Sequence, residues 1–329
     1  MSSPPTVSVI VPTFNRADLI GRCLRSLRGA GLPSLEIVVV DDGSTDETAA
    51  VVESFPGVIY RRQANAGPAA ARNLGFSISR GRYVGFIDSD DEWIAGAPSR
   101  LVQLLDGHAD VPLVFADACM GDEAAGFVSF IATYGGEAFN ALPGERRAGL
   151  RVLDRRPFFH QLARRNVMFL GSLLVRREAF AAAGGFDPGL RGAADWEFFL
   201  RMAAVHRLGF AEGDPVSRYY KHAAGMSMDG DHMQEDFIRA LDAVRRKRGL
   251  DADDRRHVEA RLRAHVFGWA YTAYDRGHLR AARERLLWGR RLGQMKGREW
   301  AYLLATYAPR SIVTGMRRAR RVLAGRSAI

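Results

Sequence analysis

Residues 7–27 read VSVIVPTFNRADLIGRCLRSL, and two hydrophobic periods meet in them. Val7–Val11 is an unbroken apolar run, the pattern of a strand buried on both faces. After the polar turn Pro12–Asn15, the apolar residues Leu19, Ile20, Cys23, Leu24 and Leu27 recur at helical spacing and stop near Gly29 and Gly31. The alternation then repeats. Strands are predicted at 36–40, 58–62 and 83–87, and helices after a capping box of Ser44 and Glu47 and over 68–78. Such an order predicts an α/β fold with a mainly parallel central sheet and helices on both faces. Ligands of such sheets bind beyond the carboxyl ends of the strands.

Further along, a strand is expected at 111–120 and a long mobile loop at 120–150, where Gly, Ala and acidic residues show no period. Residues 157–166, 177–183 and 195–205 read as helices and 172–175 as a strand. Beyond residue 234 the pattern is helical, with breaks near Gly249, Gly277, Gly293 and Pro309.

The chain has 329 residues, 47% hydrophobic and 26% charged, which excludes disorder throughout. Residues 1–234 carry 24 Lys+Arg against 27 Asp+Glu, whereas residues 235–329 carry 23 against 10, so the +10 net charge belongs to the C-terminal part. Two cysteines, Cys23 and Cys119, offer neither a disulfide framework nor a zinc site. The N-terminus does not read as a signal peptide, and no run of about 18 apolar residues suggests a membrane span, so a cytoplasmic protein is expected.

Polar clusters follow each of the first four strands. Pro12, Thr13, Phe14 and Asn15 come first, then Asp41 and Asp42, then Asn65 and Gly67, then Asp88, Ser89, Asp90 and Asp91. Adjacent carboxylates at a strand end repel unless a cation lies among them, and hard oxygen ligands favour Mg²⁺ or Mn²⁺ shared with a substrate diphosphate. A solvated turn capping the next helix is the alternative. Asp42 reads either as part of an Asp-Gly turn or as an acceptor for a base or ribose. In NAGPAAARNLG (65–75), Gly67 and the alanines permit close backbone approach, and the helix start with Arg72 suits a phosphate; plain helix packing is the other reading.

The order of VSVIVPTFNRADLIGRCLRSL, EIVVVDDGSTDET, NAGPAAARNLG, GRYVGFIDSDDEW and GGFDPGLRGAADWEFFLR resembles the family 2 glycosyltransferases over roughly residues 5–230. The resemblance implies a GT-A fold over 1–233, with nucleotide-sugar binding at about 5–120 and acceptor binding at about 121–233, followed by a basic helical region over 234–329. It implies an inverting enzyme that uses a nucleotide-diphosphate sugar, UDP by default, with Mn²⁺ or Mg²⁺, and a glycan or lipid-linked acceptor. Pro12, Thr13, Phe14 and Asp42 match positions lining the nucleobase and ribose, with Asn15 beside them. Asp88, Ser89 and Asp90 match the DxD motif, with Asp90 the leading direct metal ligand. Asp195 matches the general base. Trp196 falls where an aromatic lines the sugar or acceptor pocket, and Asp91 is a second candidate for that pocket. His222 falls where a histidine approaches metal and diphosphate, with Arg218 and Lys221 nearby. The chain departs from the family at Ala194, where many relatives carry an acidic residue. A degenerate sugar-nucleotide or glycan-binding scaffold at the membrane is the non-enzymatic alternative.

The segment 309–326 pairs apolar residues with Arg317, Arg318, Arg320 and Arg321 and suits the anionic inner face of a cytoplasmic membrane. A helical cap on the catalytic domain is the other reading. No nucleic-acid-binding motif accompanies the charge.

Overall fold

Val7–Thr13, buried throughout, forms β1 near the middle of the principal sheet in a computed structural model of the chain. The structure describes residues 5–308 apart from 33, 222–229, 248 and 294, so His222 and the segment 309–326 lie outside the described residues. The remaining strands are β2 (Leu35–Asp41), β3 (Ile59–Arg62), β4 (Tyr83–Phe86), β5 (Glu92–Trp93), β6 (Leu113–Phe115), β7 (Ala118–Asp122), β8 (Gly126–Ser129), β9 (Gly144–Arg147), β10 (Leu150–Leu153), β11 (Leu173–Arg176), β12 (Gly209–Ala211) and β13 (Ser217–Tyr220). Two compact units divide the chain, Met1–Gly230 and Asp231–Ile329.

In the first unit the principal sheet runs β3-β2-β1-β4-β11-β6-β12-β10-β9, and a smaller one runs β5-β13-β7-β8. The expected parallel pairing holds over β3-β2-β1-β4. Beyond β4 the sheet is mixed, because β11 runs antiparallel to both β4 and β6 and β10 runs antiparallel to both β12 and β9. The expected loop at 120–150 is instead ordered: it holds β8, β9, the start of β10 and short helices at Phe130–Tyr134 and Gly136–Asn140. Its apolar side chains are too few for a period, yet Phe130, Ile131 and Phe139 are buried and suffice to seat it. The predicted strand at 111–120 is two strands, β6 in one sheet and β7 in the other.

The helix Pro68–Ile78 packs on β1 and β2 through Ala69, Ala71 and Gly75. Small residues are required there because the helix lies close against the sheet. Its Asn73 amide joins it to the GGFD segment, donating to the Phe186 carbonyl (2.8 Å) and accepting from the Phe186 amide (2.9 Å). Phe76, Phe86, Phe180, Phe186 and Phe198 fill the space beneath, with ring centroids 4.6–5.3 Å apart in successive contacts. Two motifs more than a hundred residues apart in sequence thereby share one wall.

The second unit, among the described residues, consists of helices Gly230–Arg245, Ala252–Asp275, Leu279–Arg291 and Gly297–Ala305. No helix among the described residues is long and apolar enough to cross a membrane.

A Cβ added at Gly75 would overlap Ile10 Cγ2 and come within 3.2 Å of Val40 Cγ2. Alanine gains up to about 1 kcal/mol in helix propensity over glycine, but overpacking a core costs about 1–3 kcal/mol and is the larger effect. Gly75→Ala is expected to lower unfolding free energy in urea titrations; an unchanged or raised midpoint would contradict this packing.

Candidate active site

The acidic corner begins where β4 ends. Between β4 and β5 the chain crosses from the principal sheet to the smaller one, and Asp88–Asp91 occupy the crossing. Asp91 is buried, and its Oδ1 accepts the Tyr220 amide (3.0 Å), which ties the crossing to the end of β13. Burial pushes the Asp91 carboxyl well above the usual range, and the charges of Asp90 and Asp88 push it the same way. Asp91 is therefore an anchor rather than the pocket wall expected from the sequence.

Asp88 and Asp90 stay accessible, their side chains 41% and 19% exposed. Each meets a guanidinium. Buried Arg72 reaches Asp88 from the helix Pro68–Ile78, and Arg16 Nε lies 3.9 Å from Asp90 Oδ2. Arg72 is thus a counter-ion of the acidic corner. Arg22 adds a third cation, donating to the Asp90 carbonyl (2.7 Å), pairing with Glu92 (3.3 Å) and stacking over Tyr220 at 3.8 Å. Arg218 pairs with Glu92 at 3.4 Å. Buried Ser89 lies between the two aspartates.

Asp195 opens the helix Ala194–Val205, and its Oδ1 accepts the Trp196 amide (2.7 Å). Burial raises its carboxyl above the ordinary value; the Arg72 charge and the Trp196 amide oppose the rise, and the Asp88 charge adds to it. Arg72, Asp88 and Asp195 therefore share one electrostatic environment. Trp196 differs from expectation: its indole is buried and donates to the Leu162 carbonyl (2.8 Å), so it seats the helix in the core instead of lining a pocket. In the same motif Glu197 grips Arg201 (2.7 and 2.8 Å), whose guanidinium donates to the carbonyls of Ala183 and Gly185. The motif thus holds the turn at Gly184 and Gly185, both at positive φ, as well as carrying Asp195.

The loop after β1 is clasped to the loop after β2. Ser44 Oγ accepts the Asn15 amide (2.9 Å), Thr48 Oγ1 the Arg16 amide (2.9 Å) and Asp46 the Ala17 amide (3.1 Å), while Asn15 Oδ1 accepts the Thr45 amide (2.8 Å). The predicted capping box does not form, because Ser44 is engaged by Asn15 and the helix begins later, at Thr48. Asn15 holds φ +50°, the one non-glycine residue in the left-handed region among the described residues, and the clasp sustains it. Pro12 and Thr13 are buried, and Thr13 Oγ1 has no partner, whereas Phe14 is 44% exposed.

Asp42 is committed internally. Its Oδ1 accepts Gln63 Nε2 (2.7 Å) and the Ala66 amide (2.8 Å), and its Oδ2 accepts the Gly67 amide (2.8 Å). The start of the helix Pro68–Ile78 is therefore already occupied by a carboxylate, which disfavours the phosphate reading of Gly67. Three of about four acceptor positions on Asp42 are used.

Among the described residues no group of three or more His, Cys, Asp or Glu side chains is arranged to hold a metal ion. The corner fits a different arrangement. Two accessible carboxylates suit Mg²⁺ or Mn²⁺ when water and a substrate diphosphate complete the shell.

Residues 8–149 match the family model "Glycosyl transferase family 2". The succinoglycan biosynthesis protein ExoU of Rhizobium meliloti is 31% identical over 268 residues, covering 74% of this chain and 70% of that protein. The chain belongs to glycosyl transferase family 2. Other curated relatives match over 42%, 37% and 55% of their own length, so the chain spans about half of those proteins. TarS of S. aureus in complex with UDP-GlcNAc superposes with a TM-score of 0.60 at 19% identity, covering 95% of this chain and 87% of that one. The mannosyltransferase PcManGT from Pyrobaculum calidifontis, in complex with GDP-Man and Mn²⁺, gives 0.54 at 21% identity over 96% and 85%. These likenesses establish the GT-A fold.

Arg16, Arg22 and the Glu197–Arg201 pair were not singled out from the sequence. Arg16 directly follows the Thr-Phe-Asn turn and Arg201 lies four residues after Glu197, spacings that offered a signal.

A carboxyl whose native pKa is raised adds stability below its unfolded value, about 3.9, and loses it as pH climbs through the native value. Asp195→Asn keeps the acceptor oxygen without the charge. It is expected to melt above wild type near about pH 8, with the gap closing toward about pH 4; a gap that widens on acidification would reverse the sign.

Proposed function

We propose that the chain is an inverting glycosyltransferase that moves a sugar from a nucleotide-diphosphate sugar to a hydroxyl of a glycan or lipid-linked acceptor, in polysaccharide biosynthesis. The observation that supports this reading is the ion pair of buried Arg72 with Asp88, with the charges of both acting on the Asp195 carboxyl. A proton acceptor and a cation-collecting corner then address one substrate. UDP is the default donor nucleotide, in keeping with the UDP-GlcNAc held by a structural neighbour.

Asp88 and Asp90 would hold Mg²⁺ or Mn²⁺, which supplies positive charge to the leaving diphosphate when bound. Asp195 accepts the proton of the acceptor hydroxyl. The hydroxyl oxygen forms its bond to the anomeric carbon as the bond to the diphosphate oxygen breaks, and the nucleoside diphosphate leaves with the electron pair. Attack from the face opposite the leaving group inverts the centre. Arg72 and Arg16, which lie beside Asp88 and Asp90, would supply guanidinium donors for diphosphate oxygens. Phe14, exposed at the carboxyl edge of β1, offers a flat surface to the base, and the clasp at Asn15 fixes it in place. Asp42 supports that wall from behind by holding the Ala66–Gly67 turn.

Burial lifts the Asp195 carboxyl, so the acid limb of kcat/KM is expected above the ordinary carboxylate range, with activity rising as the group ionises. Asp195→Asn is expected to lower turnover about 10²–10⁴-fold with donor binding intact by calorimetry. Transfer at wild-type rate in that variant would remove Asp195 from the reaction, whereas absence of transfer by the wild type would favour the scaffold reading. Asp90→Asn is expected to raise the Mn²⁺ concentration required for half-maximal activity or donor binding; an unchanged requirement would place the cation elsewhere.

A further inference from the structure

In the second unit the last described helix, Gly297–Ala305, has two unlike faces. Glu299, Leu303 and Thr306 are buried, and the half-buried Tyr302 joins aromatic and apolar neighbours from the helix Ala252–Asp275. On the other side Trp300, Leu304 and Tyr307 are 40%, 69% and 60% exposed. Their spacing of four and three residues aligns them in one stripe along the helix and its final turn. They make up half of the six exposed large apolar side chains among the described residues, gathered within eight positions. Scattered apolar residues are ordinary on a surface, whereas a contiguous stripe marks a contact.

Arginines flank the stripe. The Arg283 guanidinium lies 3.8 Å from the Tyr307 ring centre and is fixed by donating to the Thr306 carbonyl, and Arg290 lies 5.7 Å from the Trp300 ring centre. The surrounding sequence is strongly cationic, with 14 Lys+Arg against 2 Asp+Glu over residues 276–329. A large aliphatic chain between two aromatic rings, with guanidinium groups beside the rings, matches the boundary between acyl chains and anionic headgroups. A partner protein would have to be acidic across its own apolar patch, and a second copy of the chain would bring the same positive field against itself. An anionic bilayer meets both requirements at once.

We infer that the Trp300–Leu304–Tyr307 face is a peripheral docking surface for an anionic lipid bilayer. Nine helical residues are too few to span it, so the helix lies in the headgroup plane. This docking stands apart from the reaction proposed for the first unit, because it needs neither donor nor acceptor.

The test is co-sedimentation of the full chain with vesicles of phosphatidylcholine alone and of phosphatidylcholine with phosphatidylglycerol, without nucleotide sugar. Wild type is expected to pellet with the anionic vesicles, to be released at high salt, and to stay in solution with the neutral ones. Leu304→Glu and the double variant Trp300→Ala/Tyr307→Ala are expected to weaken partitioning about tenfold or more, and Arg290→Gln to weaken it less. Thermal melting checks that these exposed substitutions leave the fold intact. The inference is overturned if wild type ignores anionic vesicles, if the apolar variants bind like wild type, or if sedimentation equilibrium finds a wild-type oligomer that Leu304→Glu dissociates. Turnover on a water-soluble acceptor reports separately on the reaction, so either reading can fail alone.

Discussion

Four carboxylates within five residues, Asp88 to Glu92, are the constraint around which the first unit is arranged. Two unit charges about 4 Å apart interact by about 4 kcal/mol at an effective dielectric near 20, a large fraction of the stability of a typical domain. The fold meets this load in different ways at each position. Asp91 is buried with a carboxyl driven toward its neutral form, Glu92 is shared by Arg22, Arg218 and the Tyr220 hydroxyl, Asp88 pairs with Arg72, and Arg16 lies beside Asp90. Asp88 and Asp90 are the two that the proposed reaction would have exchange a side-chain cation for a bound one. Burial, with the same acidic charges adding to it, pushes the Cys23 thiol well up.

The corner also explains why distant segments must meet. Arg72 comes from a helix that needs alanine and glycine to lie on β1 and β2, and that helix is joined through Asn73 to the segment leading into Asp195. Packing of small residues therefore sets where the Arg72 guanidinium meets Asp88. Trp196 and the Glu197–Arg201 pair lock the helix that carries Asp195, so the residues around Asp195 are spent on its position. Ala194 in place of an acidic residue leaves Asp195 with Asp88 as the like charge acting on it.

The parallel half of the principal sheet was legible because β1, β2 and β4 are apolar on both faces and each ends at a polar cluster. In the mixed half, the strands expected at 172–175 and 111–120 correspond to β11 and to β6 with β7, but β9, β10, β12 and the antiparallel pairings were not legible, since these strands are three or four residues long and carry no period of their own. At the site, ordered motifs pointed to Asp88, Asp90 and Asp195, but residue type alone could not separate a ligand contact from an internal hydrogen bond. Asp42, Asp91 and Trp196 look like substrate contacts in the sequence, yet each binds backbone groups brought near by the fold. Arg16 shows the converse, drawing no notice in the sequence until the topology sets it against the acidic corner.

In the proposed reaction, Asp195 and the Asp88–Asp90 pair address opposite sides of one sugar donor. The decisive measurement is a crystal structure with UDP-GlcNAc and Mn²⁺, read by manganese anomalous scattering. An anomalous peak against Asp88 or Asp90 and the diphosphate is expected, with the Asp195 carboxylate across the anomeric carbon from that peak. A peak remote from both aspartates, or a donor whose anomeric carbon faces away from Asp195, would contradict it.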